Sequence, residues 1–353
     1  CMPSGCYSIN QTTELSYSYL ALGKFPQNIS QLANLVSINI LDCGISGEIL
    51  PSIGNLENLM WLRISGSNHG LPDSLGVNSN LEGVLPNEIG DLYNLQLLDL
   101  SNNHLSGQIP PSIGGLSNLT YLSVVGNEIT GEIPSEIGNL TNLVQLNLYG
   151  NELTGSIPEE IGNLSYLNTI DLYDNNLTGE IPSGITNLTN MIRIQLDNNQ
   201  LTGNIPEDIG NLTNMDMLYL HNNQLSGTVP ESICSIYSNL NVLTLYNNKL
   251  CPVHPSCITE SDIGDQDISE CVIPGCTDEN ACNYWSLATI DDGTCFMGYD
   301  YCIDLDDDGF GDPEYIYTQC EYTDPNPLYV DNCDDICPDD NGVNVDSDGD
   351  GVC

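Results

Sequence analysis

Leu140-Thr-Asn-Leu-Val-Gln-Leu-Asn-Leu-Tyr-Gly-Asn-Glu-Leu-Thr-Gly-Ser-Ile-Pro-Glu-Glu-Ile-Gly-Asn163 decides the fold, because the chain repeats it. Leu92–Gly115, Leu116–Asn139, Leu164–Asn187 and Leu188–Asn211 align with it without gaps on the pattern LxxLxxLxLxxNxLxGxIPxxIGx. Leu32–Asn55 and the segment from Leu212 fit as well. The repeat from Leu56 carries about twelve extra residues near 68–79, and a half repeat (Leu240, Leu243, Leu245, Asn248, Leu250) ends the array. Repetition at a fixed period of this length is the mark of a solenoid, in which no unit buries its own apolar face and neighbours stack to share a core. The Leu-x-Leu step has the two-residue period of a strand with one buried face. Asn151 and its equivalents are placed to bond the backbone where the chain leaves that strand. Gly155 permits a tight bend, and Pro158 prevents a regular helix on the return side.

The chain outside this array has a different chemistry. The whole sequence has 353 residues, 49 Asp and Glu against 4 Lys and Arg, and a formal net charge of −45. Such a balance excludes nucleic acid and anionic membrane as partners, since both need a basic footprint. All four basic residues (Lys24, Arg63, Arg193, Lys249) precede position 250, while residues 258–353 hold 26 acidic residues and nine of the 15 cysteines. Fifteen cysteines without a CxxC motif point to an oxidising, extracellular setting. No apolar run approaches the roughly 18–20 residues of a membrane span. No signal peptide is visible, so the chain opening at Cys1 is expected to be a mature protein or a segment of a longer one. The organisation read from these shifts is a cap over 1–31, a solenoid with its C-terminal cap over 32–257, a small Cys-rich module over 258–300, and Asp-rich repeats over 301–353.

The LxGxIPxxIG half of the repeat resembles the plant-type leucine-rich repeats of receptor ectodomains and polygalacturonase-inhibiting proteins, over about Leu32–Cys257. The resemblance implies a right-handed, slightly twisted horseshoe, with a parallel sheet on its concave face and a recognition role. It also assigns Cys1 and Cys6 to an N-terminal cap and Cys234, Cys251 and Cys257 to a C-terminal one, although the family's CxxWxGVxC cap pattern is missing. Gly275-Cys-Thr-Asp to Cys295 is similar to a GCTDxxACNYxxxAxxDDGxC module of secreted bacterial surface proteins, a core small enough to need disulfides.

Three groups of candidate site residues follow. Alternate carboxylates before a glycine bend, at Asp304, Asp306, Asp308 and Asp312 and again at Asp346, Asp348 and Asp350, suit the many oxygen ligands of Ca2+. Position 12 from Asp304 is Tyr315 rather than Glu, which argues against a paired-helix EF-hand. These runs resemble thrombospondin type 3 and dockerin-like calcium repeats, so the C-terminal region is expected to be disulfide-rich and calcium-bound, with little regular secondary structure. On the sheet, the positions between and after the Leu-x-Leu leucines are expected to be exposed. They gather Tyr149, Tyr173, Tyr219, His221 and Tyr246 over the later repeats, with Arg193 among them, as a face for a protein or carbohydrate ligand. The alternative is that these tyrosines only stabilise the sheet across its ladder. Eight Asn-x-Ser/Thr sequons, at Asn10, Asn28, Asn118, Asn139, Asn163, Asn176, Asn187 and Asn211, are glycosylation candidates in a secreted eukaryotic protein.

The four histidines are scattered and form no zincin motif, and no GxSxG elbow exists, so catalysis is not expected. The expectation is a non-catalytic extracellular protein, secreted or attached to a cell surface, for adhesion, recognition or assembly, with a calcium-rigidified acidic stalk. Its alternatives are a self-assembling subunit of a fibril or surface layer, stacked head to tail through strand edges at both ends, and a secreted inhibitor or glycan-binding protein.

Overall fold

The computed structural model describes residues 11–18, 23–41, 45–66, 80–303, 312–319 and 329–330. It divides into two compact units, 1–270 and 271–353. In the first, each Leu-x-Leu step forms a short strand, and ten described strands pair in parallel and in sequence order. They run from Glu14–Ser18 and Ser37–Leu41 through Gln145–Asn147 and Thr169–Asp171 to Met217–Tyr219 and Val242–Thr244. The first strand lies inside the stretch read as a cap, so the sheet begins before the leucine pattern is legible: Glu14 pairs with Ser37 and Ser18 with Leu41.

Opposite this sheet the chain returns through 3-10 turns such as Ser135–Asn139, Glu159–Asn163 and Ser183–Asn187, each preceded by an extended proline, Pro134, Pro158 or Pro182. Between sheet and turns lies a second, shorter parallel ladder of Glu82–Val84, His104–Gly107, Glu128–Glu132 and Glu152–Thr154. Gly155 follows it at φ +72°, and a Cβ there would lie 2.7 Å from Cγ of Glu132. At Gly138 a Cβ would lie 2.6 Å from the Glu160 carbonyl oxygen, so the Ile-Gly step is dictated by how closely successive turns stack.

The core is one continuous leucine and isoleucine column. Leu140, Leu143, Leu146, Leu148, Leu153 and Ile161 are all 0% exposed, and their equivalents in other repeats match them. Threaded through it is an asparagine ladder. Asn151 Nδ2 donates to the carbonyls of Leu148 (3.0 Å) and, one repeat earlier, Val124 (3.0 Å), while its Oδ1 accepts from the Ile129 N–H (3.1 Å). Asn127, Asn175, Asn199, Asn223 and Asn248 repeat the arrangement. The residue before each ladder asparagine turns left-handed, which only Asn, Asp or Gly supplies here: Asn102, Gly126, Gly150, Asp174, Asn198, Asn222, Asn247.

The C-terminal edge of the solenoid is covered, contrary to the expectation of open strand edges at both ends. Residues 258–270, grouped by composition with the Cys-rich module, pack here instead. Thr259 caps a helical turn, Glu260–Ile263, and the Leu245 and Asn247 N–H groups donate to the carbonyls of Asp262 (2.8 Å) and Asp265 (2.7 Å). Gln266 takes the place of the next ladder asparagine, accepting from the Leu250 N–H and donating to the Leu245 carbonyl, both at 3.0 Å. Cys234 and Cys257 form a disulfide at this end.

In the second unit, Cys276–Cys295 is a disulfide, and Pro274–Gly275 pairs with Ile290–Asp291. Tyr299–Ile303 pairs antiparallel with Asp312–Gln319 and Tyr329–Val330. Of the calcium candidates, Asp312 opens the second of these strands; Asp304, Asp306, Asp308, Asp346, Asp348 and Asp350 lie outside the described residues, as do Asn10, Cys1, Cys6 and the insertion near 68–79.

Candidate functional site

Parallel stacking with no shift of register turns each strand position into a straight row across the concave face. Tyr149, Tyr173, Asp197, His221 and Tyr246 form one such row. It is held by backbone bonds from Gly150 N–H to Tyr173 O, Asp174 to Asp197, Asn198 to His221 and Asn222 to Tyr246, all 3.1–3.2 Å. Adjacent rings then meet face to face. Tyr149 and Tyr173 stack with centroids 4.2 Å apart at 11°, and His221 and Tyr246 stack at 4.4 Å and 29°. Tyr219, in the neighbouring row, meets His221 edge-on at 6.3 Å. The four tyrosines and His221 are half-buried.

Arg193 opens its strand one row further over and is bound to Asp171: its Nε donates to Oδ1 at 3.0 Å and its Nη2 to Oδ2. With its amide turned so that nitrogen and oxygen each meet a complementary partner, Asn147 extends the chain, donating to Asp171 Oδ2 (3.2 Å) and accepting from the Tyr121 hydroxyl (3.3 Å). Burial pushes the Asp171 carboxyl up, and the Arg193 guanidinium opposes that push. The sequence expectation that the positions between and after the leucines are exposed therefore needs correction. Asp99, Ser123, Val125, Asn147, Asp171 and Asp197 are all buried, because strands this close let tall neighbours roof over short side chains.

Asp197 is the unusual member. It stands 6% exposed between two aromatic pairs. Its Oδ2 accepts from Asn198 Nδ2 at 2.9 Å and lies 3.5 Å from His221 Nε2, while Oδ1 is sealed from solvent with no donor. Burial pushes its carboxyl up to about 6 against the pull of its own backbone N–H, and nearby Asp174 adds to the rise. Burial lowers the His221 imidazole, against the pull of Asp174. His221 Nδ1 lies 2.8 Å from the Thr244 hydroxyl. With Nδ1 accepting from that hydroxyl, the neutral ring carries its proton on Nε2, facing Asp197.

Apart from Arg193, the sequence reading passed over the row that opens the strands: Trp61, Leu97, Tyr121, Gln145, Thr169, Met217 and Val242. Its signal was the residue before each Leu-x-Leu step, and Trp61 is 41% exposed there. A second, exposed asparagine ladder also went unread. Asn142, Asn190 and Asn214 each donate to a carbonyl of the preceding repeat, and so does the sequon residue Asn118, to Tyr93 O at 2.8 Å. Asn139, Asn163, Asn187 and Asn211 are exposed at the ends of successive 3-10 turns, and Asn28 and Asn176 are exposed too.

Among the described residues no group of three or more His, Cys, Asp or Glu is arranged to hold a metal ion, and no helix is long and apolar enough to cross a membrane. A family model described as a leucine-rich repeat region matches residues 75–155 and 146–250. Among solved structures, the plant peptide hormone receptor RGFR1 in complex with RGF2 is similar at 35% identity and a TM-score of 0.61, covering 72% of this chain and 43% of its own. The Arabidopsis receptor kinase HAESA, in complex with the peptide hormone IDA and the co-receptor SERK1, is similar at 34% and 0.57, covering 69% and 43%. A plant ice-binding protein is similar at 26% and 0.54, covering 69% and 76%. The chain thus spans 43% of the length of each of the two receptor chains. No curated protein sequence matches it.

Proposed function

The chain carries a leucine-rich repeat region, and on that premise we propose that it is a non-catalytic extracellular recognition module that takes a peptide segment on the concave face of its later repeats. The observation that carries this is the row from Tyr149 to Tyr246, two stacked ring pairs flanking a buried carboxylate. Rigid half-buried aromatics with polar tips provide large contact area at low entropic cost. Similarity to a peptide hormone receptor and to a receptor kinase solved with a peptide hormone supports a peptide as the ligand class, and disulfides support an oxidising location, secreted or on a cell surface.

Panning a displayed random-peptide library against the native chain tests the reading. Enriched peptides should bind the Tyr149→Ala/Tyr173→Ala variant about tenfold or more weakly, while its thermal unfolding changes little. No enrichment, or equal binding by the variant, overturns it. A parallel glycan array separates the carbohydrate alternative. Stacking through the C-terminal sheet edge is not part of the proposal, because that edge is occupied.

Calcium on the acidic end is the second element, supported by the alternating carboxylates from Asp304 to Asp312 and from Asp346 to Asp350. Calcium titrated into the chelator-treated full chain should be taken up with a calorimetric signal, and should raise the melting temperature with increasing free metal. No uptake at millimolar calcium rejects this element without touching the first.

A further inference from the structure

Five consecutive repeats place side chains in one row, and four of the five are rings. Tyr149 and Tyr173 are stacked, and His221 and Tyr246 are stacked. The step between them holds Asp197, whose short side chain leaves the row without a ring. Strands are about 4.8 Å apart, so Tyr173 and His221 stand roughly 9.5 Å apart across two steps. A planar cation midway would lie about 4.8 Å from each, within the roughly 6 Å reach of a cation–π contact.

The base of this step has a defined chemical demand. Asp197 is 6% exposed, its Oδ2 is taken by Asn198, and its Oδ1 has no donor. A sealed carboxylate oxygen without a partner is costly, and it invites a donor that a ligand brings. The surrounding charge is negative: Asp174 acts on both Asp197 and His221, and Arg193 is tied to Asp171. His221 adds no cation while neutral. The demand is therefore for a planar group that carries N–H donors and positive charge.

The geometry points to the side chain of an arginine from a bound peptide, stacked between Tyr173 and His221 and paired through its N–H groups with Asp197. This rests on the recognition reading and names its anchor. A guanidinium is flat, stacks on aromatic faces and offers five donors in a fixed fork, whereas an ammonium supplies a point charge without a face. Because Oδ1 is sealed in the chain as it stands, entry requires Tyr173 or His221 to turn aside, so their ring signals report occupancy directly.

The probes are the capped peptide acetyl-Gly-Arg-Gly-amide and its citrulline and lysine counterparts, titrated into the full chain while the Tyr173 and His221 ring resonances are followed by NMR. The arginine peptide should shift both sets of signals saturably. Citrulline, equally planar but uncharged, should bind about tenfold more weakly, and lysine several-fold more weakly. Asp197→Asn should cost the arginine peptide about tenfold in affinity while the chain stays folded, and His221→Ala should weaken it less. Absence of saturable shifts, equal binding of citrulline, or an Asp197→Asn variant that binds like the native chain each overturns the inference. Library peptides that depend on Tyr149 and Tyr173 but carry no arginine would leave the recognition reading standing while this inference fails.

Discussion

Replacing Asn175 by Ala should lower the unfolding free energy by about 3 kcal/mol or more. Its Oδ1 accepts from the Leu153 N–H (3.0 Å), and its Nδ2 donates to the carbonyls of Leu148 (3.1 Å) and Leu172 (3.0 Å). All of these lie inside the leucine column, out of reach of water. Removing the amide leaves the buried Leu153 N–H without an acceptor, at about 1–3 kcal/mol, and takes one of two ladder donors from each of the Leu148 and Leu172 carbonyls, which keep Asn151 and Asn199, at about 1 kcal/mol per lost bond. The exposed ladder supplies the control. Asn190 makes one exposed bond, to Ser165 O at 2.9 Å, and its replacement by Ala should cost less than about 1 kcal/mol. Because solenoid repeats are coupled chiefly to their neighbours, the Asn175 variant should also show a split or broadened denaturant transition. Similar small losses for both variants would mean that the inner ladder guides register without carrying stability.

The second large effect is on pH dependence. Burial raises the Asp197 carboxyl from 3.8 to about 6 in the folded chain. A raised carboxyl binds its proton more tightly folded than unfolded. Its contribution to stability is therefore full below about pH 4 and is lost as pH rises through about 6. Asp197→Asn removes this titration while keeping the shape of the protonated acid. The variant should match the native chain at pH 4 and exceed its stability by about 2 kcal/mol at pH 8. His221 runs the other way: its lowered imidazole supports the fold above about pH 6.5 and loses that support as pH falls. The effect of Asp197 is thus read from the difference between the two proteins. Parallel stability profiles across pH 4–8 would show that Asp197 is not held protonated by its surroundings. A variant that folds more stably yet binds arginine less well would separate the cost of this residue from its use.

Much of this was legible in the residues. The 24-residue spacing, the inward leucines, the turn asparagine and the left-handed glycine are each stated many times over, so local physics could be read by comparing copies. The tyrosines at 149, 173, 219 and 246 could be assigned to one face for the same reason. Gln266 could not be recognised as the last rung of the ladder, because it occurs once, after a helical turn, at no repeat spacing. Nor could the strand Glu14–Ser18, which precedes the leucine pattern and is identified only by its pairing with Ser37–Leu41.

By itself, the sequence determined that this chain is a parallel solenoid with a leucine core and an acidic, cysteine-rich end, since periodicity and charge are properties of the chain alone. Only the tertiary structure decided which concave groups are covered. Asp171 and Asp197 occupy positions that read as exposed, yet one is bound to Arg193 and the other sealed between ring pairs. The reason is the short distance between stacked strands: whether a carboxylate meets water depends on the height of side chains 24 residues away on either side, and that height is a property of neighbours in space.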